Sequence, residues 1–78
     1  MNLNEAIELL RVVSAIPIKD SAKKPKIRVF YKEWEGYTLG VKVSLVNAEY
    51  RNYLDEIVKS RDLRIAELEG YLMVYGYG

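Results

Sequence analysis

RIAELEGYLMVY, residues 64–75, decides how many strands this chain gives to a sheet. Its β-branched and aromatic residues are strand formers, and Gly70 interrupts the run. The stretch reads either as one long strand bulged or kinked at the glycine, or as two short strands. Counted as one run, Ala66, Leu68, Leu72 and Val74 share one parity, and Ile65, Glu67, Glu69, Tyr71, Met73 and Tyr75 share the other. Taken as a single strand, it completes an α+β fold of order α-β-β-α-β: a three-stranded, largely antiparallel sheet with two helices packed on one face. The chain is expected to fray beyond Tyr75.

Upstream of this stretch lies the clearest helix, from Ser44 or Asn47 to Ser60. Val46, Tyr50, Tyr53, Leu54, Ile57 and Val58 fall on one side of a helical wheel, and Arg51 and Asp55 are spaced for pairing. Either Ser44 or Asn47 can cap it. Before it, Ile27, Val29 and Tyr31 alternate with Lys26, Arg28, Phe30 and Lys32. The alternation resumes after Glu33-Trp34-Glu35-Gly36 as Tyr37, Leu39, Val41 and Val43, the pattern of a β-hairpin. Residues 17–25 hold two prolines and several charges without periodicity, and read as a surface loop. Residues 3–16 form an amphipathic helix whose apolar arc spans about half the circumference, with Asn2 and Glu5 placed as a capping box and Pro17 as its stop. The predicted core is Ile7, Leu10, Val13, Ile27, Val29, Leu39, Val41, Leu54, Ile57, Leu68 and Leu72. No sequence repeat of useful period is visible. The order of elements loosely resembles type II KH domains. Residues 44–62, however, contain no glycine with which to build the nucleotide-clamping loop of that family, and no residue role is carried over from it.

Residues 1–78 fit one small domain. The sequence has no cysteine and no histidine, which removes disulfides, thiolate chemistry, the usual zinc ligands and the commonest general base. Stability is left to packing, and half the residues are hydrophobic. No secretory signal is visible and charged residues interrupt every apolar run, so the expected location is the cytoplasm with no membrane partner. Absence of glutamine as well as cysteine, beside abundant lysine and glutamate, is the bias of hyperthermophile proteins.

The net charge of +1 hides a division. Residues 19–32 carry a local charge of +5, and residues 45–78 carry −2. Lys26, Arg28, Lys32 and Lys42 share a hairpin face with Phe30, with Trp34 at its end and Lys23 and Lys24 in the adjoining loop. Cations that track phosphates, interleaved with rings on which bases stack, are the ingredients of single-strand nucleic-acid binding. The competing structural reading pairs these cations across strands with Glu67 and Glu69. Tyr71, Met73 and Tyr75 form a second candidate surface. A final strand that is apolar on both parities invites antiparallel pairing with a second copy across a two-fold axis, burying these three side chains. A weaker version places a dimer on the first helix through Leu9, Val12 and Ile16. The paired carboxylates Glu33 and Glu35, and Glu67 and Glu69, have no nucleophile, phosphate loop or histidine beside them to complete a catalytic site. The sequence thus reads first as a non-enzymatic interaction module acting as a homodimer, then as a nucleic-acid binder, and last as an enzyme. No metal or cofactor is expected.

Overall fold

A computed structural model describes residues 1–76, and the expectation for the last two residues falls outside them. Helix α1 (Leu3–Ser14) begins at Asn2, whose side chain accepts the Glu5 N–H at 2.8 Å, while the Glu5 carboxylate accepts the Asn2 N–H at 3.1 Å. Two of the unpaired donors at the helix start are satisfied reciprocally, as the sequence predicts. The helix ends at Ala15, two residues before Pro17. Strands β1 (Ile27–Lys32) and β2 (Gly36–Lys42) form the expected antiparallel hairpin. Helix α2 (Ala48–Ser60) takes Asn47, not Ser44, as its cap: the Asn47 side chain accepts the Tyr50 N–H at 2.8 Å. At its C-terminus Asp62 adopts a left-handed φ of 54°. The Leu63 N–H then reaches the Val58 carbonyl at 2.9 Å and closes the last turn.

Residues 64–75 are two strands, β3 (Arg64–Leu68) and β4 (Tyr71–Tyr75), joined by a turn at Glu69-Gly70. The order is therefore α-β-β-α-β-β, and the three-stranded expectation is corrected to a four-stranded antiparallel sheet in the order β1-β2-β4-β3. Both turn residues have positive φ, 52° and 82°, the geometry whose twist suits a two-residue hairpin. The extra strand also separates this topology from that of the KH domains. The chain runs α-β-β twice, and the antiparallel β2–β4 pair joins the two units as an approximate two-fold axis would. The tripeptide Glu-Gly-Tyr marks both hairpins, at residues 35–37 and 69–71.

The turn reverses the parity rule used for residues 64–75. Ile65 pairs with Val74 and Glu67 with Leu72, so odd positions of β3 share a face with even positions of β4. Leu39 and Val41 of β2 and Leu72 and Val74 of β4 point to the helices and are buried against Leu9, Val13, Leu54 and Val58 in one apolar cluster. Leu68 therefore belongs to the opposite face and is exposed rather than core. Ile7 on the flank of α1 and Val29 on the outer strand β1 are exposed as well, while Leu10, Ile27 and Ile57 are partly buried at the margin of the cluster. Leu9 and Ile16 are buried in the same cluster and cannot form the interface suggested for the first helix. Tyr50 is core, whereas Tyr53 is exposed.

Candidate functional site on the open sheet face

The helices cover one face of the sheet, and the register fixes what stands on the other. β1 contributes Arg28, Phe30 and Lys32; β2 contributes Thr38, Gly40 and Lys42; β3 contributes Arg64, Ala66 and Leu68; β4 contributes Tyr71, Met73 and Tyr75. The two surfaces singled out in the sequence, one basic and aromatic on the hairpin, the other Tyr71, Met73 and Tyr75, are thus one surface. Lys26 lies just before β1, where its carbonyl accepts the Lys42 N–H at 2.8 Å. Lys23 belongs elsewhere: it lines a separate cavity of about 600 Å³ beside Pro17, Ile18, Leu45 and Tyr50. Lys24 is exposed in the loop that leads from there into β1.

Gly40 organises the middle of the face. Any Cβ at this position would lie 2.5 Å from the Phe30 ring and 3.2 Å from the Tyr71 ring. The missing side chain lets both rings lie down on the backbone of a central strand. Phe30 and Tyr71 meet edge to face with centroids 5.5 Å apart, a favoured aromatic geometry, and the Arg28 guanidinium stands 5.8 Å from the Phe30 centroid. Toward the hairpin end, Phe30, Lys32, Trp34, Thr38, Leu68, Met73 and Tyr75 line a groove of about 520 Å³, together with one carboxylate, Glu35.

The proposed pairing of the basic residues with Glu67 and Glu69 does not form. β1 and β3 are opposite edges of the sheet, Glu67 shares the helix-side face with Leu72, and Glu69 sits in the turn. Among the described residues Lys32 pairs instead with Glu35, at 3.8 Å and largely in solvent, where such a contact is weak. None of the strand positions on the open face is acidic, while Arg28, Lys32, Lys42 and Arg64 are all cationic.

Edge pairing of Tyr71–Tyr75 with a second copy is likewise corrected. β4 is an interior strand, bonded to β2 on one side and β3 on the other, so it has no free edge to offer. Tyr71, Met73 and Tyr75 present only their side chains. The tyrosine pair Tyr31 and Tyr37, with centroids 4.9 Å apart, lies on the helix side and takes no part in this surface.

Away from the face, Tyr50 is 4% exposed and its hydroxyl has no hydrogen-bond partner among the described residues. Burial pushes its pKa up to about 12. Among the described residues no cluster of three carboxylate, histidine or cysteine side chains stands ready to hold a metal ion. No helix among them is long and apolar enough to cross a membrane. No family model, no curated protein and no solved structure matches the chain.

Proposed function

We propose that this domain binds single-stranded nucleic acid across the open face of its sheet. The observation that carries the reading is the composition of that face: an aromatic strip of Phe30, Tyr71 and Tyr75, bordered by Arg28, Lys32 and Lys42, with no carboxylate on its strand positions. Aromatic rings accept the π-face of any base and cations follow the phosphates, so the pair of features gives affinity without demanding a sequence. Of the residues read as nucleic-acid contacts in the sequence, Arg28, Phe30, Lys32, Trp34 and Lys42 belong to this surface, and Tyr71, Met73 and Tyr75 extend it. The test is a titration of labelled oligothymidylate and oligouridylate. Wild-type protein binds at low salt, and the Arg28→Glu, Lys42→Glu double variant loses affinity equally for both. Equal binding by the variant contradicts the proposal.

Homodimer formation through the same face is the second reading. Its support is Leu68, 53% exposed, and the exposed Tyr75, both lining the groove of the open face, apolar surface of the kind that calls for a partner. Charge weighs against it, because a face that closes on its own copy brings like-charged side chains together with no carboxylate among its strand positions to answer them. Light scattering separates the two readings. A dimer that becomes a monomer on Met73→Lys with Tyr75→Lys supports self-association, and a concentration-independent monomer removes it.

A further inference from the structure

We propose that the hairpin end of the open face is a seat for one unpaired nucleobase, walled by Trp34 and floored by the Thr38 hydroxyl. The inference rests on the nucleic-acid reading of that face and adds to it a position and a selectivity. Trp34 is the only tryptophan in the chain and is 92% exposed at the tip of the β1–β2 hairpin. A scattered exposed leucine is unremarkable in a folded protein, but an indole carries the largest apolar surface of any side chain and is usually mostly covered. Here it lines the 520 Å³ groove together with Phe30, Leu68 and Tyr75. That volume is in the range of small-ligand sites.

Thr38 supplies the polar half of the seat. It is only 7% exposed, it lines the groove, and it stands on the open face opposite Phe30. Its hydroxyl makes no hydrogen bond among the described residues and is not itself sealed off, the Tyr50 hydroxyl being the one buried side-chain polar atom without a partner among them, so it stays open to a ligand in the groove. A hydroxyl both donates and accepts, which suits the edge of a base whose face lies against indole. At the rim, Lys32 is held among the described residues only by its exposed 3.8 Å contact with Glu35, which also lines the groove, an interaction that a phosphate can displace at little cost. Stacking, an edge contact and a phosphate contact thus converge on one nucleotide. A base locked in a duplex cannot enter with its edge free, so the seat selects single strands.

The lone tryptophan makes the test direct. Titrating the full chain with oligothymidylate or oligouridylate of eight nucleotides should quench Trp34 fluorescence, and a duplex of equal length should not. By anisotropy of labelled oligonucleotide, Trp34→Ala should weaken binding about 5- to 150-fold, the range for loss of one stacked base. Thr38→Val, which keeps the shape and removes the hydroxyl, should weaken it about 2- to 12-fold. Trp34→Phe should recover part of the loss. Because Trp34 touches so little of the fold, its variants report on binding without a folding defect. If wild-type protein binds the oligonucleotide while Trp34→Ala and Thr38→Val bind equally well, the seat is refuted and the nucleic-acid reading of the face stands. If wild-type protein binds no single strand at low salt, both fall together.

Discussion

Replacing Tyr50 by phenylalanine should stabilise this domain, opposite to the usual sign for trimming a core side chain. The ring of Tyr50, in the first turn of α2, is buried, and its hydroxyl has no hydrogen-bond partner among the described residues. Leaving a polar group in that state costs about 1 to 3 kcal/mol of desolvation. Deleting one oxygen removes little packing, so the net gain is about 1 to 2 kcal/mol. For a domain of this size that is an upward Tm shift of roughly 4 to 16 °C. The pH dependence sharpens the test. Burial raises the Tyr50 pKa from the ordinary 10.0 to about 12, so the unfolded chain releases its proton first as pH rises. The associated stability is intact below pH 10 and is lost as the pH climbs toward 12, by roughly 3 kcal/mol in full. Tyr50→Phe has no such loss, and every other ionisable group is common to both proteins. Urea denaturation of both proteins at pH 7 and at steps between pH 10 and 11.5 should show a gap that widens with pH. A variant less stable than wild type at pH 7, or two curves that stay parallel through pH 11.5, would mean that the hydroxyl is satisfied and that this description of the core is wrong.

Three further predictions concern the fold and the floor of the site. Leu54 is fully buried between α2 and the sheet, and Leu54→Ala should cost about 2 to 5 kcal/mol in the same denaturation assay; a loss below about 1 kcal/mol would contradict the packing. Glu69 holds a left-handed φ of 52° ahead of Gly70, so Glu69→Asn, which supplies the residue pair best suited to this turn, should add roughly 1 kcal/mol; no rise in Tm would argue against the turn geometry. Gly40→Val places a side chain where the Phe30 ring lies, 2.5 Å from the position of its Cβ. It should cost about 1 to 3 kcal/mol through overpacking and reduce oligonucleotide affinity. Unchanged stability and binding would show that the rings do not rest on Gly40.

The elements governed by local rules were legible in the sequence. Asn2 and Glu5 announce the start of α1, alternation from Ile27 to Val43 announces the hairpin, and the stripe from Tyr50 to Val58 announces α2. The fourth strand was ambiguous because its turn is carried by Glu69, a residue with no special tolerance for left-handed backbone, in place of the asparagine or aspartate that would signal a two-residue hairpin. Once the chain reverses there, residue i pairs with a partner of opposite parity. That reversal sends Leu68 to the open face and makes β4 an interior strand. The site suffered from the same gap. Its basic and aromatic half could be read from the alternation in the β1–β2 hairpin, but its union with Tyr71, Met73 and Tyr75 depends on the β2–β4 register, a contact between residues 29 to 35 positions apart. The small-for-large match of Gly40 with Phe30 and the groove between Trp34 and Tyr75 likewise exist only once that register is set. The doubled α-β-β unit left the Glu-Gly-Tyr tripeptide as its visible trace, and the two tyrosines ended on opposite faces because the hairpin turns differ in length.

The central claim, a cationic aromatic face that takes single-stranded nucleic acid, is tested most directly by the salt dependence of binding. With three or four phosphates neutralised by Arg28, Lys32, Lys42 and their neighbours, a plot of log affinity against log salt should fall with a slope of about −2 to −3, or roughly 20- to 50-fold between 50 and 200 mM. In the Arg28→Glu, Lys42→Glu double variant the slope should flatten by about 1.4. Absence of binding at 50 mM salt, or a slope near zero in wild-type protein, would contradict the account.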